Sequence, residues 1–228
     1  MLSLFRFIMI AAGIALLPDR YPTSLKTIES LLPQVDAILL SLNGFDSIPK
    51  GLVHPKIDVR YIGVNLGDIG KFHQWDGDYI SCDDDLLYPK TYVEDFRNSK
   101  HQDSILTHHG STFLPPVDNW FRAKAEDPNS VRCLSSNAIQ QDIKVPGTGV
   151  SFYPSSLYPS VYQFVKESNE YNCQDMVVGA WLKKEGKQAI AIKHSSSYFG
   201  YTHPRETIWE ETTQDRVKQT NKFNRILS

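Results

Sequence analysis

Apolar residues fall in blocks along the first half of the chain. Ile8 to Leu17 is almost unbroken, Val35 to Leu42 is a second apolar run, and Ile57 to Val64 and Asp78 to Cys82 read as a third and a fourth strand. The first run predicts a strand buried on both faces, as in a parallel sheet. Between the first two runs, Thr23-Ser24 offers a helix N-cap, and Leu25, Ile28, Leu31 and Leu32 recur at helical spacing up to Pro33. After the fourth run, Pro89 suits the first turn of a helix with an inner face of Tyr92, Val93 and Phe96. Strands alternating with helices predict right-handed βαβ units and an open, mostly parallel, Rossmann-like α/β sheet flanked by helices.

The second half is less regular. Ser104 to Thr107 reads as a short strand ending in His108-His109-Gly110. Neighbouring side chains on a strand face opposite ways, so these histidines do not chelate one ion together; His109 is read as site-lining and His108 as structural. Ser111 to Val145, with Pro115-Pro116 and Pro128, shows no period and predicts a binding loop or lid. Val145-Pro-Gly-Thr-Gly-Val150 is a glycine-containing approach to a new strand, with the spacing of neither a dinucleotide fingerprint nor a P-loop. Helices are predicted over Tyr158 to Lys166 and from Asp175 to a stop at Gly186, with a last strand over Gln188 to Lys193. Arg216 to Arg225 reads as a positively charged surface helix or tail.

Ligands on open α/β sheets bind at the carboxyl ends of the strands. Here those ends carry Pro18-Asp19-Arg20, Asn43 and the triplet Asp83-Asp84-Asp85. Taken alone, an acidic triplet is most simply a solvated turn. At a buried strand end, however, adjacent carboxylates repel one another and are costly to desolvate without a compensating cation. A hard divalent ion suits oxygen ligands, and Mg²⁺ takes one or two carboxylates together with substrate phosphates, which points to a nucleotide diphosphate. Lys71, in Asp68-Ile-Gly-Lys-Phe72, is then a phosphate contact. Asp175, opening a helix, reads equally as a capping carboxylate or a catalytic one.

Composition narrows the classes. The chain has 228 residues and a net charge of -2, enough for one large α/β domain and without the basic field that holds nucleic acid by its phosphates. Cys82, Cys133 and Cys173 are widely spaced with no C-x-x-C pair, against a disulfide framework or a structural zinc and in favour of a reducing compartment. Leu4 to Leu17 is too short to span a bilayer as a helix. A first strand is preferred to a signal-peptide core, with Met1 to Phe7 as an extension of it or a weak membrane-touching tail.

Leu40-Ser-Leu-Asn-Gly-Phe45, Asp68-Ile-Gly-Lys-Phe72, Asp83-Asp-Asp-Leu-Leu-Tyr-Pro89 with Tyr92-Val93, Pro146-Gly-Thr-Gly149 and Asp175 occur in the order seen in small GT-A glycosyltransferases. Over Ile8 to Phe199 the chain resembles the bacterial capsule (heparosan) N-acetylglucosaminyltransferases. The resemblance around Ile208-Trp209 is loose, and the family's closing tryptophan position is Tyr198 here. The resemblance implies a single GT-A domain over 1–228, with 1–110 as the nucleotide-sugar half and 111–228 as the acceptor half and C-terminal tail. It implies a UDP-sugar donor, a saccharide acceptor, a Mn²⁺ or Mg²⁺ ion on a DXD-type motif and a retaining transfer. Arg20, Asn43, Asp68, Lys71, Asp83 and Asp84 would seat the donor nucleotide, Asp85 with Asp83 would meet the metal, and Asp175 would face the sugar and the acceptor hydroxyl. A cytoplasmic enzyme is implied, with peripheral contact at the inner face of a membrane at most.

Three other readings stand beside it. A sugar nucleotidyltransferase would carry a glycine-rich, basic loop after its first strand, and Pro18-Asp-Arg-Tyr-Pro22 is neither. A glycosyltransferase acting on modified bases of viral DNA would share the donor site; Arg122, Lys124 and Arg132 keep a nucleic-acid acceptor in view, although the overall charge disfavours it. A non-catalytic calcium- or carbohydrate-binding module is the third, and no EF-hand spacing supports it.

Overall fold

The computed structural model describes residues 8–101, 103–202 and 216–228; the expectations for Met1 to Phe7 and for Ile208-Trp209 lie outside them. Eight strands form one sheet: β1 (Ile10–Leu16), β2 (Ala37–Leu42), β3 (Ile57–Ile62), β4 (Asp78–Cys82), β6 (Ile105–Thr107), β8 (Gln141–Ile143), β10 (Val150–Tyr153) and β11 (Ala189–Ala191). Their order across it is β3-β2-β1-β4-β10-β6-β11-β8. Two short ribbons stand apart, β5 (Leu86–Leu87) with β12 (Gly200–Tyr201) and β7 (Gly110–Ser111) with β9 (Val145–Pro146). The first four strands are mutually parallel. β10 runs antiparallel between β4 and β6, β11 is parallel to β6, and β8 closes the far side antiparallel. The sheet is therefore mixed and mostly parallel, the α/β class expected.

Helices cover both faces. On one, α1 (Tyr21–Leu31) and α2 (Tyr92–Arg97) bury Ile28, Leu31, Tyr92, Val93 and Phe96 against Ile14, Leu40, Ile80 and Phe152. On the other, α4 (Tyr158–Ser168) and α5 (Gln174–Glu185) bury Tyr158, Val161, Val177 and Trp181 with Tyr79 and Tyr153. Removing these apolar surfaces from water on both faces is what selects parallel strands with continuous apolar sequence over alternating ones.

Three expectations need correction. The first helix begins at Tyr21 with Arg20 as its N-cap residue. Pro22 fits its first turn, and the Thr23 and Ser24 hydroxyls turn back to donate to the Arg20 carbonyl at 2.8 and 3.0 Å. Residues 111–145 are not a bare loop: they hold α3 (Trp120–Glu126), capped by the Asn119 side chain at 2.9 Å to the Arg122 N–H, and β8. The helix from Arg216 to Leu227, α6, is not a mere surface tail. Phe223 and Leu227 are fully buried, and the Phe223 ring sits 4.4 Å from that of Trp120 on α3.

Candidate active site

The carboxyl ends of β1, β2 and β4 open into one cavity of about 850 Å³. Arg20, Asn43, Asp68, Lys71, Asp83, Asp84, Asp85 and Asp175 all line it, so the donor, metal and catalytic candidates singled out from the sequence come to the same place. His109 also lines it, whereas His108 is buried in an aromatic cluster with Tyr92, Phe96, His194 and Tyr198. Tyr198 is not in the cavity wall: its ring stacks on His108 and its hydroxyl donates to Asp95.

The triplet divides into three environments. Asp84 is buried, and its carboxylate accepts from Arg20 Nη1 at 3.2 Å and Ser24 Oγ at 3.4 Å, so it ties β4 to α1. Asp83 is the most open of the three and pairs with Lys71. Asp85 lies 3.9 Å from Arg20 Nη1. Burial, together with the neighbouring Asp83 and Asp84, pushes its carboxyl up to about 7. That is the electrostatics of a site short of positive charge. Among the described residues no group of three or more His, Cys, Asp or Glu side chains could cage a metal alone. An ion held by Asp83 and Asp85 would have to complete its shell with groups from outside these side chains, such as phosphate oxygens and water.

Lys71 ends a 3-10 turn, Gly67–Lys71, that runs against β1. Gly13 of β1 makes this possible, because a Cβ there would stand 2.0 Å from the Lys71 carbonyl oxygen. Tyr79 donates to the same carbonyl at 2.6 Å. Burial works against the ammonium, but Asp83 and Asp68 outweigh it and hold Lys71 firmly charged. Asn43 spends its amide on the same loop: Nδ2 donates to the Gly67 carbonyl at 3.1 Å and Oδ1 accepts from Leu66 N–H at 3.0 Å.

Asp175 sits in the first turn of α5, yet it does not cap that helix. Asp68 does so from across the fold, its carboxylate accepting the Gln174 N–H at 2.9 Å. Asp175 Oδ1 instead accepts from the Thr148 N–H at 2.8 Å and the Thr148 hydroxyl at 2.7 Å. Burial pushes the Asp175 carboxyl up, but Lys124 and the Thr148 hydrogen bonds together hold it below the ordinary carboxylate value. His109 is pushed down to about 4 by burial and by Lys124, which leaves its imidazole neutral. Sequence reading did not single out Thr148, and placed Lys124 and Arg132 only in a variable segment. Lys124 shows why: its signal is the helix α3, whose period is too short to stand out between prolines.

No family model matches the chain, and no curated protein matches it. Among solved structures it is similar to the galactosyltransferase LgtC in complex with donor and acceptor sugar analogs, at 13% identity over 75% of this chain and 69% of that one, TM-score 0.37. An active-site mutant of LgtC aligns at 11% identity over the same shares, TM-score 0.39. The 2-C-methyl-D-erythritol 4-phosphate cytidylyltransferase from Thermus thermophilus aligns at 11% identity over 89% of this chain and 98% of that one, TM-score 0.46. At these TM-scores the likenesses carry no argument, and the α/β architecture rests on the sheet itself.

Proposed function

We propose that the protein is a metal-dependent GT-A glycosyltransferase that moves a hexose or N-acetylhexosamine from a UDP-sugar to a saccharide hydroxyl, with retention at the anomeric carbon. The observation that carries this reading is the meeting of Lys71, the Asp83–Asp85 triplet and an ionised Asp175 in one cavity large enough for a sugar nucleotide.

Transfer breaks the bond between the anomeric carbon and a diphosphate, so negative charge grows on the leaving phosphate and positive character on the sugar ring. A Mn²⁺ or Mg²⁺ ion held by Asp85 and Asp83 would supply the counter-charge for the leaving diphosphate. Lys71 would share that task once a metal at Asp83 takes over the counter-charge of that carboxylate. Asp175, kept ionised and hydrogen-bonded through one oxygen, suits electrostatic support of the oxocarbenium-like ring better than proton abstraction, for which a carboxylate of low pKa is a weak base. Arg20 and Asn43 brace the aspartates and the 65–68 loop around the donor.

Arg20 also speaks against a nucleotidyltransferase. It follows β1 in a 3-10 turn, Pro18–Arg20, and its guanidinium is engaged by Asp84 and Asp85, where a triphosphate-cradling loop would need free backbone and charge. Cytoplasmic location belongs to the same proposal; among the described residues no helix is long and apolar enough to cross a membrane. The test is a donor screen that reads UDP release from a panel of UDP-sugars with Mn²⁺ and a saccharide acceptor. Release that requires both metal and a UDP-sugar is expected; pyrophosphate release from a nucleoside triphosphate and sugar phosphate would replace this reading with nucleotidyl transfer.

A further inference from the structure

The turn between β9 and β10 touches three parts of the cavity at once. Gly147 lies against His109, where a Cβ would stand 2.7 Å from the ring Cδ2. Gly149 lies against Asp83, where a Cβ would stand 1.8 Å from Oδ2. A side chain at either position would have to push the His109 ring or the Asp83 carboxylate aside, so the backbone runs in direct contact with a candidate metal carboxylate on one side and the imidazole on the other. The turn is itself fixed: the Gly149 carbonyl accepts from Tyr88 Oη at 2.6 Å and from the Asp83 N–H at 3.1 Å, and the Gly147 N–H donates to the His109 carbonyl at 2.8 Å.

Between the two glycines, Thr148 is 2% exposed and points at Asp175. Its N–H and hydroxyl both donate to the same oxygen, Oδ1. Two donors on one oxygen hold that oxygen in place on a carboxylate that its own helix does not engage, beside the charge of Lys124.

We propose that Thr148 is the positioning residue of the transfer reaction: it sets the orientation of the Asp175 carboxylate and its distance from Asp83, so that the sugar ring and the diphosphate are met by fixed charges. This rests on the transferase reading above. Thr148 itself touches neither donor nor acceptor in this account; it acts through Asp175. Misplacement of a charge-stabilising group by a fraction of an ångström is costly because the stabilisation depends on geometry set before the reaction.

The experiment is a double-mutant cycle on the full chain with Mn²⁺ and the best UDP-sugar, reading kcat and KM separately. Thr148→Val, which keeps shape and removes the hydroxyl, is expected to lower kcat by about 10- to 100-fold with KM for the donor within about 3-fold, the scale of a hydrogen bond to a charged group. Thr148→Ser should restore most of the rate. In an Asp175→Asn background the Thr148→Val change should cost less than about 3-fold, because the residue it acts through is already neutral. Should Val misfold, Thr148→Ala runs the same cycle. Full additivity of the two changes, or a Thr148→Ser variant as slow as Thr148→Val, would overturn the proposal. A wild-type chain that releases no UDP from any donor tells against the transferase reading itself, a different outcome from additivity.

Discussion

Asp68 Oδ2 accepts the backbone N–H of Gln174 at 2.9 Å, across 106 positions of sequence. The contact joins the loop that carries Lys71 to the helix that carries Asp175, and it takes over the capping role that Asp175 would otherwise hold. Asn172 adds to the joint, its side-chain oxygen accepting from the Asp68 N–H at 3.3 Å.

Asp68→Ala should therefore destabilise the protein by about 1–3 kcal/mol, the cost of a lost charged cap with its buried donor left unpaired. A melting temperature lower by about 2–4 °C per kcal/mol is expected at this chain length. Asp68→Asn, which keeps an acceptor oxygen, should retain most of the stability. An Ala variant that melts with the wild type would show that the joint contributes nothing.

Asp175→Asn should leave a folded protein that binds UDP with metal normally and turns over about 10²- to 10⁴-fold more slowly. Calorimetry of UDP binding and steady-state rates separate the two effects. Wild-type turnover in this variant would reduce Asp175 to a structural partner of Thr148.

Metal loading should depend on pH. The Asp85 carboxyl titrates near 7 because burial and two neighbouring carboxylates disfavour its charge, and only the ionised form is a ligand. Affinity for Mn²⁺ with UDP should thus hold above pH 7 and fall by up to about tenfold per unit as pH drops below it. Asp85→Ala should bind Mn²⁺ with UDP weakly at every pH and lose transfer. Full activity of that variant in chelator would exclude the metal assignment.

Acid stability has a separate source. His108 is fully buried, neither ring nitrogen has a hydrogen-bond partner among the described residues, and burial drives its imidazole well below its ordinary value. The unfolded imidazole titrates near 6.5, so below that pH the unfolded chain takes a proton the folded one refuses. Stability is complete above about 6.5 and declines as pH falls, by up to about 1.4 kcal/mol per unit for this one group. His108→Phe should flatten the melting-temperature profile between pH 6.5 and about 5 and change it little at pH 8. An unaltered slope would place the acid sensitivity elsewhere, with His73 and His109 the next candidates.

The parallel half of the sheet was legible because Ile10–Leu16 and Ala37–Leu42 are apolar almost without interruption, which suits a doubly covered strand. The clustering of Arg20, Asn43, Lys71 and the aspartates followed from their places at strand ends. Helix α3 was hidden because seven residues between prolines give too few turns for a period to show, and its stability comes from Trp120 and Phe121 packing. The first helix start was misread because the hydroxyls of Thr23 and Ser24 suit a cap and an in-helix back-bond equally well. Thr148 could not be found from sequence, since a threonine between glycines carries no sign of the carboxylate 27 positions away that it will meet.

The place of β10 sets an order of assembly. It inserts between β4 and β6, although both precede it in the chain. As the polypeptide is made, the edge of β4, with the aspartate triplet just beyond its end, stays unpaired until residue 153 has emerged. The cavity wall formed by α3 waits longer still, for the ring of Phe223. The most chemically charged part of the molecule is thus completed only by segments from the second half of the chain.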